Sequence, residues 1–303
     1  MDSAPANIHI APMTIPPEPW PTGIAEQIEP LVRRVLAPNP SPFTYTGTES
    51  YIVGAQGVVA VIDPGPNEPA HLAALRAAIG DAEVAAICCT HTHRDHSPAA
   101  VPLQTATGAP VIGCAALVLD STGQRSDDGF DATYTPDRVL RDGESLSGPD
   151  WTLTAVATPG HTSNHLCFAL AESGALFTGD HVMGWSTTVI IPPDGDMAAY
   201  MASLDKLHRR EDRVYYPAHG APVDNPRQFV RGLIGHRRQR ERQILKLLDD
   251  GMQGIEAELV PAMYKGTDRK LWPAAGRSVL AHLIDLEQRG MVRHTAGRWT
   301  ING

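Results

Sequence analysis

Short apolar runs alternate with helical periods through the first two thirds of the chain. Period-two alternation or continuous apolar character predicts strands at 50–54, 58–62, 84–89, 110–113, 151–157, 166–170, 174–177 and 214–216. Apolar residues three and four apart predict helices at 68–79, 97–107 and 197–208. The segment 24–37 fits either a short helix or a strand, since Pro30 makes a long helix unfavourable. Strands and helices that interleave in this way indicate a mixed α/β domain.

The pattern changes after residue 226. It predicts a long helix over 228–250, then helices over 255–264 and 277–289 and a β-hairpin over 291–301, which is the pattern of a winged helix. The charge changes at the same place. Residues 227–303 carry 14 Lys and Arg against 8 Asp and Glu, whereas the preceding residues carry 11 against 26. Such asymmetry supports a separate module. We therefore predict an extended, proline-rich arm at 1–22, a main domain at 23–226 and a winged-helix-like domain at 227–303.

The composition bounds the class of protein. A chain of 303 residues with 42% apolar residues can hold one large and one small domain. The net charge of −9 does not favour a general nucleic-acid binder. Its four cysteines lie in apolar surroundings without metal spacing, which predicts buried free thiols in a reducing compartment. Because we find neither a signal peptide nor a membrane-length apolar run, we expect a soluble, cytoplasmic protein.

The candidate chemistry begins directly after the predicted strand at 84–89. Four potential metal ligands, His91, His93, Asp95 and His96, lie within six residues. In an extended segment the first two point to the same side. Imidazole nitrogens and carboxylate oxygens suit zinc. No single ion needs all four ligands from so short a piece, so the spacing indicates two neighbouring ions whose remaining ligands come from later in the chain.

Three later segments contain such ligands, each just after a short apolar run: His161, Asp180 and His219. With these motifs in this order, the chain resembles the metallo-β-lactamase superfamily of binuclear metal hydrolases over roughly residues 30–225. The resemblance implies an αββα sandwich, in which two mixed sheets carry helices on their outer faces. It also implies two zinc ions per chain, although manganese and iron accept similar ligands.

The resemblance further implies a role for each ligand. It assigns His91, His93 and His161 to one ion, Asp95, His96 and His219 to the other, and Asp180 to both. Two cations lower the pKa of a shared water to about 7 or below, which produces hydroxide at neutral pH. Asp63, which follows a predicted strand, either orients a ligating imidazole or forms a turn before Pro64.

Further side chains near these motifs have two interpretations each. Asp95 and His165 are the candidate catalytic residues. His165 either donates to substrate or supports a ligand, or it is a helix-start histidine that bonds to backbone. His181 either reaches the cleft or packs. Thr187 and Thr188 either bind substrate oxygens or have structural roles.

The C-terminal module points to one branch of the superfamily. The segments 183–189 and 235–237 and the winged helix resemble a branch that contains a single-strand-selective endoribonuclease. Fungal thioesterases that act on carrier-bound polyketides are related to it. We therefore expect a hydrolase of a phosphodiester or single-stranded RNA-like substrate; the alternative is a thioester or ester hydrolase of small acyl substrates. A non-enzymatic winged-helix regulator that uses the main domain as a metal or ligand sensor is a third hypothesis.

The expected partners follow from these alternatives. We expect the protein to bind a small-molecule or single-stranded RNA substrate, and we expect no membrane partner. The predicted helix at 277–289 exposes few basic residues, so we expect no sequence-specific DNA binding and interpret the module as a cap that shapes the cleft. The sequence leaves the oligomeric state open.

Overall fold

The computed structural model describes residues 20–117 and 129–302. Most of the predicted N-terminal arm therefore lies outside the described residues. The same holds for 118–128, the central part of the polar insertion that we expect at 117–134. Among the described residues, none of the helices is both long and apolar enough to cross a membrane.

Seven strands form the first sheet in sequence order. They are β1 (Ala25–Glu29), β2 (Val32–Leu36), β3 (Glu49–Val53), β4 (Val58–Ile62), β5 (Glu83–Cys89), β6 (Val111–Gly113) and β7 (Arg138–Val139). The strands from β1 to β4 pair antiparallel, and those from β4 to β7 pair parallel. The ambiguous segment 24–37 is thus a pair of strands, and Pro30 lies in the turn between them.

Five strands form the second sheet, in the order β12-β11-β10-β9-β8. They are β8 (Ser145–Ser147), β9 (Thr152–Ala157), β10 (Leu166–Leu170), β11 (Ala175–Gly179) and β12 (Val214–Pro217). Only β11 and β12 pair parallel. The edge strands β7 and β8 were not predicted, because they are two and three residues long and largely polar.

The two sheets face each other across the main core. The rings of Tyr51 in β3 and Phe177 in β11 lie 4.9 Å apart, and Trp151 Nε1 donates to the carbonyl oxygen of Val58 at 2.9 Å. Helices α1 (Pro69–Ile79) and α2 (Ala100–Thr107) contact the first sheet. Helix α3 (Met197–His208) and the start of α4 (Pro226–Asp249) cover the second. This arrangement confirms the predicted αββα layers.

Helix α4 belongs to both parts of the molecule. Its first half packs Val230 and Leu233 against α3, whereas Ile244 and Leu248 lie in a separate C-terminal core. The predicted domain boundary at 226/227 therefore falls at the first turn of a helix that crosses from one core to the other. Since both halves are buried, α4 orients the small domain relative to the sandwich.

The C-terminal core contains short helices and a hairpin. A π-helical turn (Ile255–Leu259) leads into α5 (Val260–Met263), and a 3₁₀ turn (Arg269–Leu271) leads into α6 (Trp272–Gln288) and the strands β13 (Val292–Thr295) and β14 (Arg298–Ile301). Helix α6 begins at Trp272, five residues before the predicted start at residue 277. Pro273 lies in its first turn, where no amide hydrogen is needed, so proline there does not prevent a helix.

Candidate metal centre

Each predicted metal ligand follows the end of a strand at one edge of the sandwich. The segment from His91 to His96 follows β5, and His161 follows β9. Asp180 directly follows β11, and His219 comes two residues after β12. The structure brings all seven side chains together in two groups, one of His91, His93, His161 and Asp180 and the other of Asp95, His96 and His219.

In the first group three imidazole nitrogens converge. His93 Nδ1 lies 2.9 Å from His91 Nε2 and 3.1 Å from His161 Nε2. The carboxylate oxygen Oδ2 of Asp180 lies 3.6 Å from His161 Nε2. Four ligands at 2.0–2.1 Å from a tetrahedral zinc are separated by about 3.3 Å from one another. The observed separations therefore fit a single small cation.

The second group is equally compact. Asp95 Oδ2 lies 3.1 Å from His219 Nε2 and 3.4 Å from His96 Nε2. The other oxygen of Asp180, Oδ1, lies 3.2 Å from His219 Nε2 and 3.4 Å from His96 Nε2. One oxygen of Asp180 thus faces each group. The residues present fit a pair of cations with Asp180 between them.

Three buried atoms have no hydrogen-bond partner among the described residues: His96 Nε2 and His219 Nε2 of the second group, and the oxygen Oδ1 of Asp180 that faces them. Buried polar atoms are almost always paired, because an unpaired one costs about 1–3 kcal/mol. A cation between these atoms would satisfy all three at once.

The ring nitrogens that point away from the two groups are held by hydrogen bonds. His161 Nδ1 lies 2.8 Å from the carbonyl oxygen of Val189, and His219 Nδ1 lies 3.0 Å from that of Gly47. His91 Nδ1 lies 3.0 Å from the hydroxyl of Thr90. A carbonyl oxygen can only accept, so the bonds to Val189 and Gly47 place the proton on Nδ1 and leave Nε2 free to bind a metal.

Asp63 orients one ligand of each group. Its Oδ2 lies 3.0 Å from His96 Nδ1 and accepts from the Thr90 hydroxyl at 2.8 Å. Since that hydroxyl also contacts His91 Nδ1, Asp63 acts on His96 directly and on His91 through Thr90. Asp63 has a φ of 46°, and its Oδ1 accepts from the Thr90 backbone amide at 2.7 Å. The structure thus favours the orienting role over a simple turn.

Gly179, at the end of β11, brings Asp180 close to the other ligands. Its φ is 49°, and a Cβ atom there would lie 2.7 Å from Thr90 Oγ1 and 2.8 Å from His165 Nε2. Both the left-handed conformation and the close approach require glycine. This role of Gly179 was not predicted, although glycine immediately before a ligand is a visible signal.

Electrostatics in the first group favour neutral imidazoles. Burial, followed by the neighbouring charge of His93, lowers the pKa of His161 to about 4. Burial raises the pKa of Asp180, but the positive charges that His219 and His96 carry when protonated outweigh it and hold that pKa below the ordinary value. A neutral imidazole beside an ionised carboxylate is the protonation state that metal binding needs.

A cleft of about 420 Å³ opens onto the two groups. Its walls beyond the ligands are largely apolar and include Phe43, Pro66, Met183, Val189 and Ile191. The loop at 38–47 lies at this cleft, and Phe43 on it is 55% exposed. The cleft can therefore hold an apolar group beside the candidate cations.

His165 does not line this cleft. It is 1% exposed, its ring centroid lies 5.1 Å from that of His91, and its Nδ1 lies 2.9 Å from the hydroxyl of Thr158. It directly precedes a strand, not a helix. A side chain in this position supports His91 from behind and does not reach a substrate in the cleft, which corrects the expectation that it donates to substrate. Asp95, the other candidate catalytic residue, lines the cleft.

The side chains of His181 and Thr188 are buried and contact other parts of the protein. His181 is fully buried, with its ring 4.7 Å from that of Tyr200. The hydroxyl of Thr188 donates to the carbonyl oxygen of Asp180 at 2.6 Å. Thr188 therefore fixes the segment that presents Asp180, a role that the sequence did not separate from substrate binding.

Comparison with known proteins decides the family. The profile of the Metallo-beta-lactamase superfamily matches residues 44–219, more than half of the chain. The chain belongs to the metallo-β-lactamase superfamily. The profile of the Beta-lactamase associated winged helix domain matches residues 256–299 of this metallo-β-lactamase-fold protein. Both parts of the predicted architecture are thereby confirmed, and the protein is a hydrolase of this superfamily by family membership.

Individual relatives of this metallo-β-lactamase-fold protein differ in description. It is 32% identical over 229 residues to an atrochrysone carboxyl ACP thioesterase of a Cryptosporiopsis species, a match that covers 74% of this chain but only 65% of that relative. It is 31% identical over 269 residues to the Beta-lactamase-like protein 2 homolog of Drosophila melanogaster, covering 86% and 89% of the two chains. A metallo-beta-lactamase family protein of Thermus thermophilus shares the fold, with a TM-score of 0.73, 24% identity and coverage of 90% and 99%.

Proposed function

We propose that this protein hydrolyses a thioester of an acyl substrate at a pair of divalent cations, with zinc as the first candidate. His91, His93 and His161 would hold one cation, Asp95, His96 and His219 the other, and Asp180 both. The observation that carries the proposal is the apolar wall formed by Phe43, Met183 and Ile191 directly beside the ligands. Such a wall suits an acyl chain, and Arg94, which also lines the cleft, is the charged side chain there outside the ligand set. The thioesterase relative supports the same substrate class.

When bound, such a cation pair supplies Lewis acidity, which lowers the pKa of a water and polarises a carbonyl. The residues of the chain do the rest. The apolar wall binds the acyl group and excludes water around it. A carboxylate oxygen of Asp95 accepts a proton from the attacking water and returns it to the leaving sulfur. The water oxygen forms a bond to the acyl carbon, and the carbon–sulfur bond breaks with its electron pair on sulfur.

The leaving group also favours a thioester. Among the described residues, every imidazole that lines the cleft belongs to the ligand set, so the proton that Asp95 carries is the one available to the leaving group. A thiol has a pKa of about 8.5 and leaves readily as its anion, whereas a sugar hydroxyl is a far weaker acid and needs more help.

A single-stranded RNA-like phosphodiester is the second candidate function. The observation in its favour is the basic character of α4, which carries Arg237, Arg238, Arg240 and Arg242. The acidic main domain weighs against it. No sequence-specific DNA binding is proposed, and the winged helix is proposed to shape the cleft.

The test is a comparison of turnover on an acyl thioester, the matching oxygen ester, a single-stranded oligoribonucleotide and a phosphodiester reporter, together with elemental analysis. We expect about two transition-metal ions per chain and the highest kcat/KM on the thioester. His93→Ala should abolish turnover, whereas His294→Ala, an exposed histidine in the distant hairpin, should not. Turnover of RNA alone that disappears in His93→Ala would replace the proposal with the second candidate.

A further inference from the structure

A second cavity of about 510 Å³ lies beside the metal cleft, between the sandwich and the C-terminal domain. Trp185 and Thr187 line it from the sandwich, and Tyr264 and Ala275 from the C-terminal domain. The side chain of Phe43 lines both this cavity and the metal cleft, and so does Val189. A ligand in one space is therefore a neighbour of a ligand in the other.

One face of α4 contributes His236, Arg237 and Arg240 to this second cavity. Arg237 is 4% exposed, donates to the carbonyl oxygen of Thr188 and lies over the ring of Tyr200. Arg240 donates from Nη1 to Gln243 at 3.0 Å and to the carbonyl oxygen of Met263 at 3.2 Å, and its guanidinium lies over Tyr264. Within 20–117 and 129–302, the groups that both arginines contact are thus neutral.

No carboxylate among the described residues lies within ion-pair distance of Arg237 or Arg240. The other deeply buried arginine, Arg34, differs, because it pairs with Glu26 at 2.5 Å and with Glu49 at 3.3 Å. A buried charge without a counter-charge is costly and is normally paired or compensated. This face of α4 therefore carries positive charge that no carboxylate of the described residues neutralises, which leaves it able to bind an anion.

Other donors around the cavity are also unpaired. Trp185 Nε1, Arg237 Nε and His236 Nδ1 are buried and have no hydrogen-bond partner within the described part of the chain. Arg240 Nε donates to His236 Nε2 at 3.4 Å, so the imidazole proton of His236 lies on Nδ1. Burial and then the charges of Arg237 and Arg240 lower the pKa of His236 to about 4, which shows the positive field at this wall.

We propose that this second cavity is a phosphate-binding subsite, which holds a phosphate carried by the thiol part of the thioester while the acyl carbon lies at the metal centre. The proposal rests on the proposed function. Guanidinium groups match phosphate oxygens in charge and geometry, and an indole or imidazole N–H adds further donors. An apolar cleft beside a cationic cavity fits a substrate with an acyl group at one end and a phosphate at the other.

The experiment is a calorimetric titration of the metal-loaded protein with 4′-phosphopantetheine and with pantetheine, which differ only in the phosphate. Their thiols are identical, so binding of sulfur to the metal centre cancels in the ratio of the two dissociation constants. We expect the phosphorylated compound to bind at least tenfold more tightly, because its phosphate gains charge-assisted hydrogen bonds that pantetheine lacks.

The variants are Arg240→Gln and, as a matched control, Arg238→Gln, an exposed arginine on the same helix that does not line the cavity. Arg240→Gln should bring the affinity ratio close to one at unchanged metal content, whereas Arg238→Gln should preserve it. Equal binding of the two compounds by the wild type, or an unchanged ratio in Arg240→Gln, would overturn the proposal.

Titration with a single-stranded oligoribonucleotide distinguishes a phosphate of RNA from a phosphate on the thiol part of a thioester. If Arg240→Gln weakens binding of a single-stranded oligoribonucleotide but leaves the pantetheine ratio unchanged, the cavity serves RNA and the proposal fails. Binding is measured without turnover. Failure of the proposed function would therefore appear as an absence of thioester hydrolysis with the affinity ratio intact, which is a different result from failure of the subsite.

Discussion

His161 and Arg237 are held by the carbonyl oxygens of two successive residues. Val189 accepts from Nδ1 of His161 at 2.8 Å, and Thr188 accepts from the guanidinium of Arg237. A side chain of the long helix α4 and a candidate metal ligand of the sandwich thus share one short backbone segment. This relationship couples the position of the C-terminal domain to the geometry of the metal centre.

The shared segment predicts that Arg237→Leu lowers kcat on every substrate. Loss of the guanidinium leaves the buried carbonyl of Thr188 without its donor, at a cost of about 1–3 kcal/mol, and allows Val189 and His161 to shift. A shift of about 1 Å at a ligand can cost roughly 100-fold in rate. The measurement is kcat and Tm on phosphate-bearing and phosphate-free thioesters.

The matched control is Arg238→Leu, an exposed neighbour on the same helix. It should change neither quantity. If Arg237→Leu affected only the phosphate-bearing thioester, the arginine would bind substrate without positioning His161, and the coupling would be rejected.

Asp63→Asn should weaken binding of both metal ions. Asp63 accepts from His96 directly and orients His91 through the Thr90 hydroxyl, so its replacement disturbs one ligand in each group. Loss of such supporting partners typically costs 10–100-fold in metal affinity. The measurement is competition with a chromophoric chelator, which resolves two binding steps.

Two further variants sharpen this result. Thr90→Val removes the partner of His91 and one donor to Asp63, but it leaves Asp63 Oδ2 beside His96 Nδ1, so it should weaken the binding step that depends on His91 more than the other. Asp137→Asn changes a carboxylate that bonds to Gln104 and to the backbone of Val111, away from the metal centre, and should alter neither step. If Asp63→Asn and the wild type had equal metal affinities, Asp63 would not orient the ligands.

Gly179→Ala should destabilise the protein more than Gly108→Ala. Both glycines have positive φ values, 49° and 73°, so both substitutions incur a left-handed backbone cost of about 1–2 kcal/mol. Only at Gly179 would the new methyl group meet other atoms, whereas at Gly108 nothing lies within 4 Å. We expect an additional loss of about 1–3 kcal/mol in chemical unfolding, together with loss of bound metal. Similar losses for the two variants would contradict the close approach of β11 to Thr90.

Glu49 should make stability fall as the pH rises. Burial raises the pKa of Glu49 to about 7, although Arg34 and Tyr51 act in the opposite direction. Between its ordinary pKa of 4.5 and about 7 the native protein holds a proton that the unfolded chain has released. Its contribution of roughly 3 kcal/mol is therefore present below pH 4.5 and is lost as the pH rises through 7.

The amide of Glu49→Gln does not titrate, so the stability of the variant lacks this pH dependence. The unfolding free energy of the wild type minus that of the variant should therefore decrease as the pH rises from 4.5 to above 7. Denaturant titrations at several pH values measure it. A difference that is constant with pH would show that Glu49 has an ordinary pKa in the folded protein.

Much of the fold could be predicted because the strands near the site have strong apolar signals. The strand that delivers His91 is predicted at 84–89 and observed at Glu83–Cys89, and the helix predicted at 197–208 has those bounds. The two polar edge strands and the first turn of α6 were missed. In these segments pairing and packing, not residue pattern, determine the structure.

The site divides in the same way. His91, His93, Asp95 and His96 could be recognised because metal binding restricts the residue type and the spacing. The acceptors at Gly47, Thr188 and Val189 could not, because a backbone carbonyl is present at every position and its role depends only on where the chain passes. The position of His165 behind His91 likewise depends on which way a buried side chain turns.

The sequence by itself determined the family, the order of the elements and the side chains able to bind metal, since each of these depends on residue type and local spacing. Only the tertiary structure decided which ring nitrogen faces the metal centre, that Asp63 supports both groups of ligands, and that a cationic cavity adjoins an apolar cleft. These features arise where segments distant in sequence meet, and no local pattern encodes the distance between them.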